Sequence, residues 1–157
     1  MKIGKHGIGV KLGALGFSYG LLSFIIWLII SPNDKIFSNY IFSISLSFIF
    51  FIYGVLMLYL SIKRVLAAYD EGKLLTDGTF SLCRHPAYSA WVLGFAPAVV
   101  FIFNSLIILS TIPAIYLIFR ILIPKEEEFL LNKFGDDYLS YKKNVWAIFP
   151  MFWKIKF

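Results

Sequence analysis

Where this chain lacks charge decides what it can fold into. No Asp, Glu, Lys or Arg occurs from Leu12 to Asn33, from Ile36 to Ile62, or from Pro86 to Phe119. A helix needs about 20 apolar residues to cross a hydrocarbon core of about 30 Å. The first two runs each suffice for one crossing, with Ser31-Pro32-Asn33-Asp34 closing the first as a turn and Lys63-Arg64 ending the second. The third is too long for one helix. Asn104-Ser105 divides it into two runs, Pro86–Phe103 and Leu106–Ile123, which read as a tight helical hairpin. The expected fold is an all-α membrane protein with four transmembrane helices, at about residues 12–31, 39–62, 86–103 and 106–123, in one domain covering 1–157. Composition agrees: 59% of residues are hydrophobic and 15% charged, against about half and about a quarter in soluble domains. A cleavable signal peptide fits the first run poorly, because the run is long and no small-residue cleavage pattern follows it.

Four spans place both termini on the same side as the loop from Lys63 to His85. That side holds fourteen of the fifteen lysines and arginines and eight of the nine acidic residues; Lys35 and Asp34 are the exceptions. The positive-inside rule then puts the termini, the middle loop and any chemistry in the cytoplasm. The net charge of +6 is spread over the ends of apolar runs, a pattern that suits membrane lipids and not nucleic acid. Cys83 is the single cysteine and His6 and His85 the two histidines. No internal disulfide, cysteine cluster or multi-histidine zinc site is possible, so no metal is expected. P-loop, nucleophile-elbow and GxGxxG patterns are absent.

Three polar clusters remain to be explained on the basic side. In the first, Leu75 to Tyr88, Pro86 marks the start of the third span, since proline disfavours helix before it and suits a first helical position. The free N–H groups of that start, beside Arg84 and His85, form a plausible site for a carboxylate or phosphate. The same residues equally describe an ordinary positive-inside anchor with a juxtamembrane histidine. The second cluster is Arg120 with Glu126, Glu127 and Glu128. Seven residues separate Arg120 from Glu127, which puts them on one face of a continuous helix, although Pro124 can bend it. A snorkelling arginine above a solvated helix exit is the plain alternative. In the third, Gly135 reads as a helix C-cap and Asp136 or Asp137 as the N-cap of a short second helix. Tyr138, Tyr141, Trp146, Phe149, Phe152 and Trp153 then read as an interfacial aromatic belt.

Together the clusters are more specific. Arg84-His85-Pro86-Ala87-Tyr88, a hairpin of roughly forty residues, Glu126-Glu127-x-x-Leu130-x-x-x-Phe134-Gly135-x-x-Tyr138-x-x-Tyr141, then Val145 and Pro150 resemble the isoprenylcysteine carboxyl methyltransferases and the related membrane phospholipid methyltransferases. The resemblance covers about residues 72–150. It implies transfer of a methyl group from S-adenosylmethionine to a lipophilic or lipid-linked acceptor. It carries cofactor contacts onto Ser81, Leu82, Cys83, His85, Tyr88 and Glu126, with Leu93, Gly94 and Glu127 beside them. Arg84, His85, Glu127 and Arg120 are the candidates for catalysis. The chemistry is compatible. A helix N-terminus suits the cofactor's carboxylate, Glu126 suits its ammonium, and methyl transfer depends on alignment more than on acid–base power. Two positions depart from the pattern. Ala90 stands where glycine is usual, and Leu122 stands where carboxyl-methylating members place an arginine. Arg120 is offset from that position by about 200° around a helix, so a lipid amine or a hydrophobic thiol is as open as a carboxylate. An NADPH-dependent membrane reductase distantly similar to sterol reductases, and a non-catalytic membrane adaptor, are the competing functions.

Overall fold

The computed structural model describes residues 8–30, 34–68 and 72–154. Four helices in it are long and apolar enough to cross a membrane. Helix α1 is Gly9–Ile30 and α2 is Tyr40–Ala68. A single turn of helix, α3, follows at Thr79–Leu82. The third and fourth spans are α4, Pro86–Phe103, and α5, Leu106–Asn144. A 3₁₀ turn at Phe152–Lys154 lies near the C-terminus. The fold is all-α, with four spans, and the protein is an integral multi-pass membrane protein. Among the described residues the only β feature is an isolated bridge, Lys35 to Ser105.

The hairpin turns where the sequence places it. Asn104 takes the left-handed conformation, φ 49°, which asparagine tolerates better than most residues. Its side chain ties down the α1–α2 connection, with Oδ1 accepting from Phe37 N at 2.9 Å and Nδ2 donating to Phe37 O at 2.7 Å. Asp34 does the same for α5: its Oδ2 accepts from Ile107 N (2.7 Å) and from Ser105 Oγ (2.9 Å). Free N–H groups of the first turn are thereby satisfied, as a helix start at a membrane boundary requires.

Span α4 is the inner helix. Of its eighteen residues 56% are buried, against 11% and 22% in the apolar windows of α1 and α2. Helix α2 packs along α4, and α1 along α5. The α2–α4 contact is close because Gly54 and Gly94 meet: a Cβ on Gly94 would lie 2.6 Å from the Gly54 Cα. Ser43 and Ser47, one helical turn apart, donate to the carbonyls of Phe101 (2.7 Å) and Ala98 (2.8 Å). Small residues and serine hydroxyls are how helices associate where no hydrophobic effect separates helix from lipid. Between Ala90 and Phe95, α4 widens into a π-turn, with Ala96 N bonded to Trp91 O. Pro97 accounts for it, because its ring lacks an N–H and collides with the carbonyl four residues back.

Two boundaries differ from the sequence reading. Helix α2 continues past Lys63-Arg64 to Ala68, and α5 passes through Pro124 with helical dihedrals until Gly135. The carbonyl that Pro124 leaves without its donor belongs to Arg120, which is exposed, so water can serve instead. At Gly135, φ 54° and ψ −127° break the helix. Residues 136–144 form a second helical stretch, as the C-cap reading expected, and it turns back toward the 72–84 segment.

Candidate active site

The site is built where α4 begins. Cys83, extended at φ −154° and ψ 154°, carries the chain from α3 into Arg84 and His85. The segment pairs with the C-terminal residues: Arg84 N donates to Trp146 O, His85 N to Ala147 O, and Met151 N to Leu82 O, each at 2.8 Å. These pairings hold the backbone just before the helix start that the sequence reading offered to an anion. The Arg84 guanidinium is committed as well. Nε and Nη2 donate to Glu127 Oε1 at 3.1 and 2.5 Å, while Nη1 donates to the carbonyls of Lys142 (3.1 Å) and Val145. Lys142 Nζ lies 2.7 Å from Glu127 Oε2. Arg84 is a clasp on the C-terminal segment, not an open anion receptor.

Glu126 and Glu127 are neighbours on α5 and face different partners, since adjacent helical residues point about 100° apart. Glu126 Oε2 accepts from the Tyr88 hydroxyl at 2.7 Å and from Ile8 N at 3.1 Å. His85, 5% exposed, sits between the carboxylates, with Nε2 3.4 Å from Glu127 Oε1 and Nδ1 3.7 Å from Glu126 Oε1. Its ring stacks on Tyr88 at 5.7 Å, and Phe119 packs against both rings. Both glutamates lie beyond the apolar run that ends at Ile123. Burial alone would raise the Glu127 carboxyl, but hydrogen bonds from His85, Lys142 and Arg84 outweigh it and hold the group well below the usual carboxylate range. For Glu126, burial is likewise outweighed, by His85, Tyr88 and the Ile8 N–H, and its carboxyl is lowered. Burial pushes the Cys83 thiol up to about 12.

The remaining expected residues divide. Ser81 Oγ donates to Gly78 O at 2.7 Å, and Leu82 and Cys83 pack toward Tyr53 and Met57 of α2. Leu93 packs into the core shared by α1, α4 and α5, and Gly94 fits against Gly54. Arg120 stands apart from the cluster. It is exposed on α5, with Nη1 3.3 Å from the Tyr116 hydroxyl. The belt reading also needs correction. Trp146, Phe149, Phe152 and Trp153 are exposed, but Tyr138 and Tyr141 are buried, because the Gly135 turn brings their helix against Leu74 and Phe80. Tyr141 donates to Phe80 O at 2.5 Å. Spacing of three between the two tyrosines signalled a shared face but not which surface that face meets.

Three buried hydroxyls, Thr79 Oγ1, Thr111 Oγ1 and Tyr138 Oη, have no hydrogen-bond partner among the described residues. At the cluster itself, Glu126 Oε1 has no donor within 3.5 Å among the described residues, an acceptor suited to the cationic end of a ligand. A separate cleft of about 640 Å³ opens between residues 72–76 and the helix after Gly135, lined by Lys73, Thr76, Asp137, Ser140 and Tyr141 among others. None of the expected cofactor residues lines it. No group of three or more metal-ligating side chains occurs among the described residues.

Comparison with known proteins places this geometry. Residues 40–132 match the family model described as the isoprenylcysteine carboxyl methyltransferase (ICMT) family. Protein-S-isoprenylcysteine O-methyltransferase of Dictyostelium discoideum is 33% identical over 81 residues, which is 52% of this chain and 34% of that protein. The protein of the same name from Xenopus laevis is 36% identical over 76 residues, 48% of this chain and 26% of that protein. The structure of the eukaryotic intramembrane Ras methyltransferase ICMT shares the fold, with a TM-score of 0.61 and 22% identity over 94% of this chain and 55% of that one. The matched stretch thus spans between about a quarter and a third of the length of these sequence relatives. Because the matched residues run from α2 through the Arg84–His85 segment to the paired glutamates, this chain belongs to the isoprenylcysteine carboxyl methyltransferase family.

Proposed function

We propose that this protein transfers a methyl group from S-adenosylmethionine to a lipophilic acceptor at the cytoplasmic face of the membrane. The observation that carries the reading is the Glu126 carboxylate, ionised and held by Tyr88, with one oxygen left for a cation. Bound S-adenosylmethionine would supply a methyl group on a cationic sulfur. Glu126 Oε1 would accept hydrogen bonds from its ammonium, a charge-assisted contact in a poorly hydrated place. His85 is held between the two carboxylates, and Arg84 holds the C-terminal segment beside them. The residues align and exclude water, and alignment is the larger need: oriented reactants gain about 7–11 kcal/mol. Leu122, half-buried in the core, offers no cation to an acceptor carboxylate, and Arg120 lies outside the cluster. The acceptor class is therefore set by hydrophobic fit from the bilayer, with a lipid-linked thiol, amine or carboxylate as its reacting group.

Calorimetric titration of the protein in detergent with S-adenosylhomocysteine tests this reading. Micromolar binding that is lost in Glu126→Ala, with the variant still folded, is expected. Unchanged binding by that variant would remove Glu126 from the site, and no binding by folded wild type would remove the cofactor.

A further inference from the structure

Helix α1 carries no catalytic motif and lies outside the residues 40–132 that match the family. Its first residues nevertheless enter the site. Ile8 N is 3.1 Å from Glu126 Oε2 and 3.2 Å from the Tyr88 hydroxyl, which itself donates to the same Oε2 at 2.7 Å. Two donors, the Ile8 N–H just before α1 and the Tyr88 hydroxyl on α4, thus share one carboxylate oxygen on α5. The arrangement is rigid on the α1 side. Ile8 is 7% exposed and Leu12 fully buried, both packed with Tyr88, Phe119 and Ile123. Gly9 lies beside the Tyr88 ring, where a Cβ would make an ordinary contact at 3.5 Å. The other oxygen, Oε1, has no donor nearer than His85 Nδ1 at 3.7 Å among the described residues, which is beyond hydrogen-bond distance. With Oε2 filled by two donors, the carboxylate cannot rotate to offer that oxygen, and Oε1 is the one presented.

Resting on the cofactor reading above, we propose that the Ile8 backbone N–H is a positioning group of the cofactor site, which locks Glu126 so that Oε1 receives the cofactor's ammonium. A backbone donor is invisible to side-chain scanning and to sequence motifs. It explains why α1 must pack against α5: the span supplies a piece of the site and not only a wall.

The test replaces residue 8 by the α-hydroxy acid analogue of isoleucine, which keeps the side chain and exchanges the N–H for an ester oxygen. Ile8→Val, which keeps the N–H, serves as the packing control, and Ile8→Pro is a second, genetically simple way to remove the donor. Each is titrated with S-adenosylhomocysteine and with methylthioadenosine, which lacks the amino acid moiety. Loss of one charge-assisted hydrogen bond predicts about a tenfold weaker S-adenosylhomocysteine affinity, with methylthioadenosine unchanged and Ile8→Val like wild type. Equal weakening toward both ligands would make Ile8 merely structural and overturn the proposal. Tighter S-adenosylhomocysteine binding would show that the N–H competes with the ammonium, and would overturn it too. The reference is Glu126→Gln, which must itself reduce the preference for S-adenosylhomocysteine over methylthioadenosine. Failure of that reference would bring down the cofactor reading, whereas a good reference with an unaffected ester would bring down only the role of Ile8.

Discussion

Glu126 and Glu127 are adjacent, chemically identical and differently employed. Glu127 is spent on protein: Arg84, Lys142 and His85 surround it, and the Arg84 and Glu127 side chains are only 10% and 12% exposed. Removing one member of a buried pair leaves the other charged and unpaired, at a cost of about 3–5 kcal/mol. Glu127→Ala should therefore lower the unfolding midpoint in detergent by several degrees, whereas Glu126→Gln should affect cofactor affinity with little change in the midpoint. The pH dependence has a definite sign. The Glu127 carboxyl is depressed in the folded protein from its ordinary 4.5, so its contribution is complete above that value and is lost as pH falls below it. The gap in midpoint between wild type and Glu127→Ala should be constant from pH 7 to 5 and shrink below about pH 4.5. A gap that ignored pH would mean the pair is held by packing and not by charge.

Among the elements, the helix after Gly135 shows how a backbone conformation sets the site. With φ 54° and ψ −127°, Gly135 occupies a region that costs a residue with a Cβ about 1–3 kcal/mol. A Cβ there would meet nothing within 4 Å, so Gly135→Ala isolates that strain from any collision. The expected outcome is weaker docking of residues 136–144, read as faster amide exchange at Tyr138 and Tyr141 and weaker S-adenosylhomocysteine binding, with the four spans unaffected. Unchanged exchange would show that the turn is held by its contacts alone. The Gly135 break was readable in the sequence, as were the Asn104-Ser105 turn and the start of α4 at Pro86, because each depends on local chemistry. Span lengths were readable for the same reason, since they follow from the distance between charges. The pairing of residues 82–85 with 146–151 was not, because some sixty residues intervene and backbone hydrogen bonds leave no side-chain pattern. The burial of Tyr138 and Tyr141 and the π-turn before Pro97 escaped similarly: periodicity identifies a face without naming what covers it.

At the scale of the whole molecule, charge and burial together predict how the protein sits in the bilayer. The large exposed side chains of α1 and α2, Phe17, Ile29, Ile41, Phe48 and Tyr59 among them, form outward apolar surfaces with no partner other than lipid to satisfy them. Among the described residues the basic side chains gather at one end, leaving only Lys35 at the other. The positive-inside rule turns that asymmetry into an orientation, with the Arg84–Glu127 end in the cytoplasm. The native chain suits a labelling test, because its single cysteine, Cys83, is fully buried with its thiol raised to about 12, and the thiolate is the reactive form. Lys35 and Lys143 are both exposed, at opposite ends of the bundle. Wild type should stay unlabelled by a membrane-impermeant maleimide. Lys35→Cys should label in intact cells, and Lys143→Cys only after the membrane is opened. Labelling of Lys143→Cys from outside would invert the protein and place methyl transfer on the side where a cytosolic cofactor cannot reach it. Three spans separate Lys35 from Lys143, so labelling of both from one side would require an even number and would remove one crossing from the bundle.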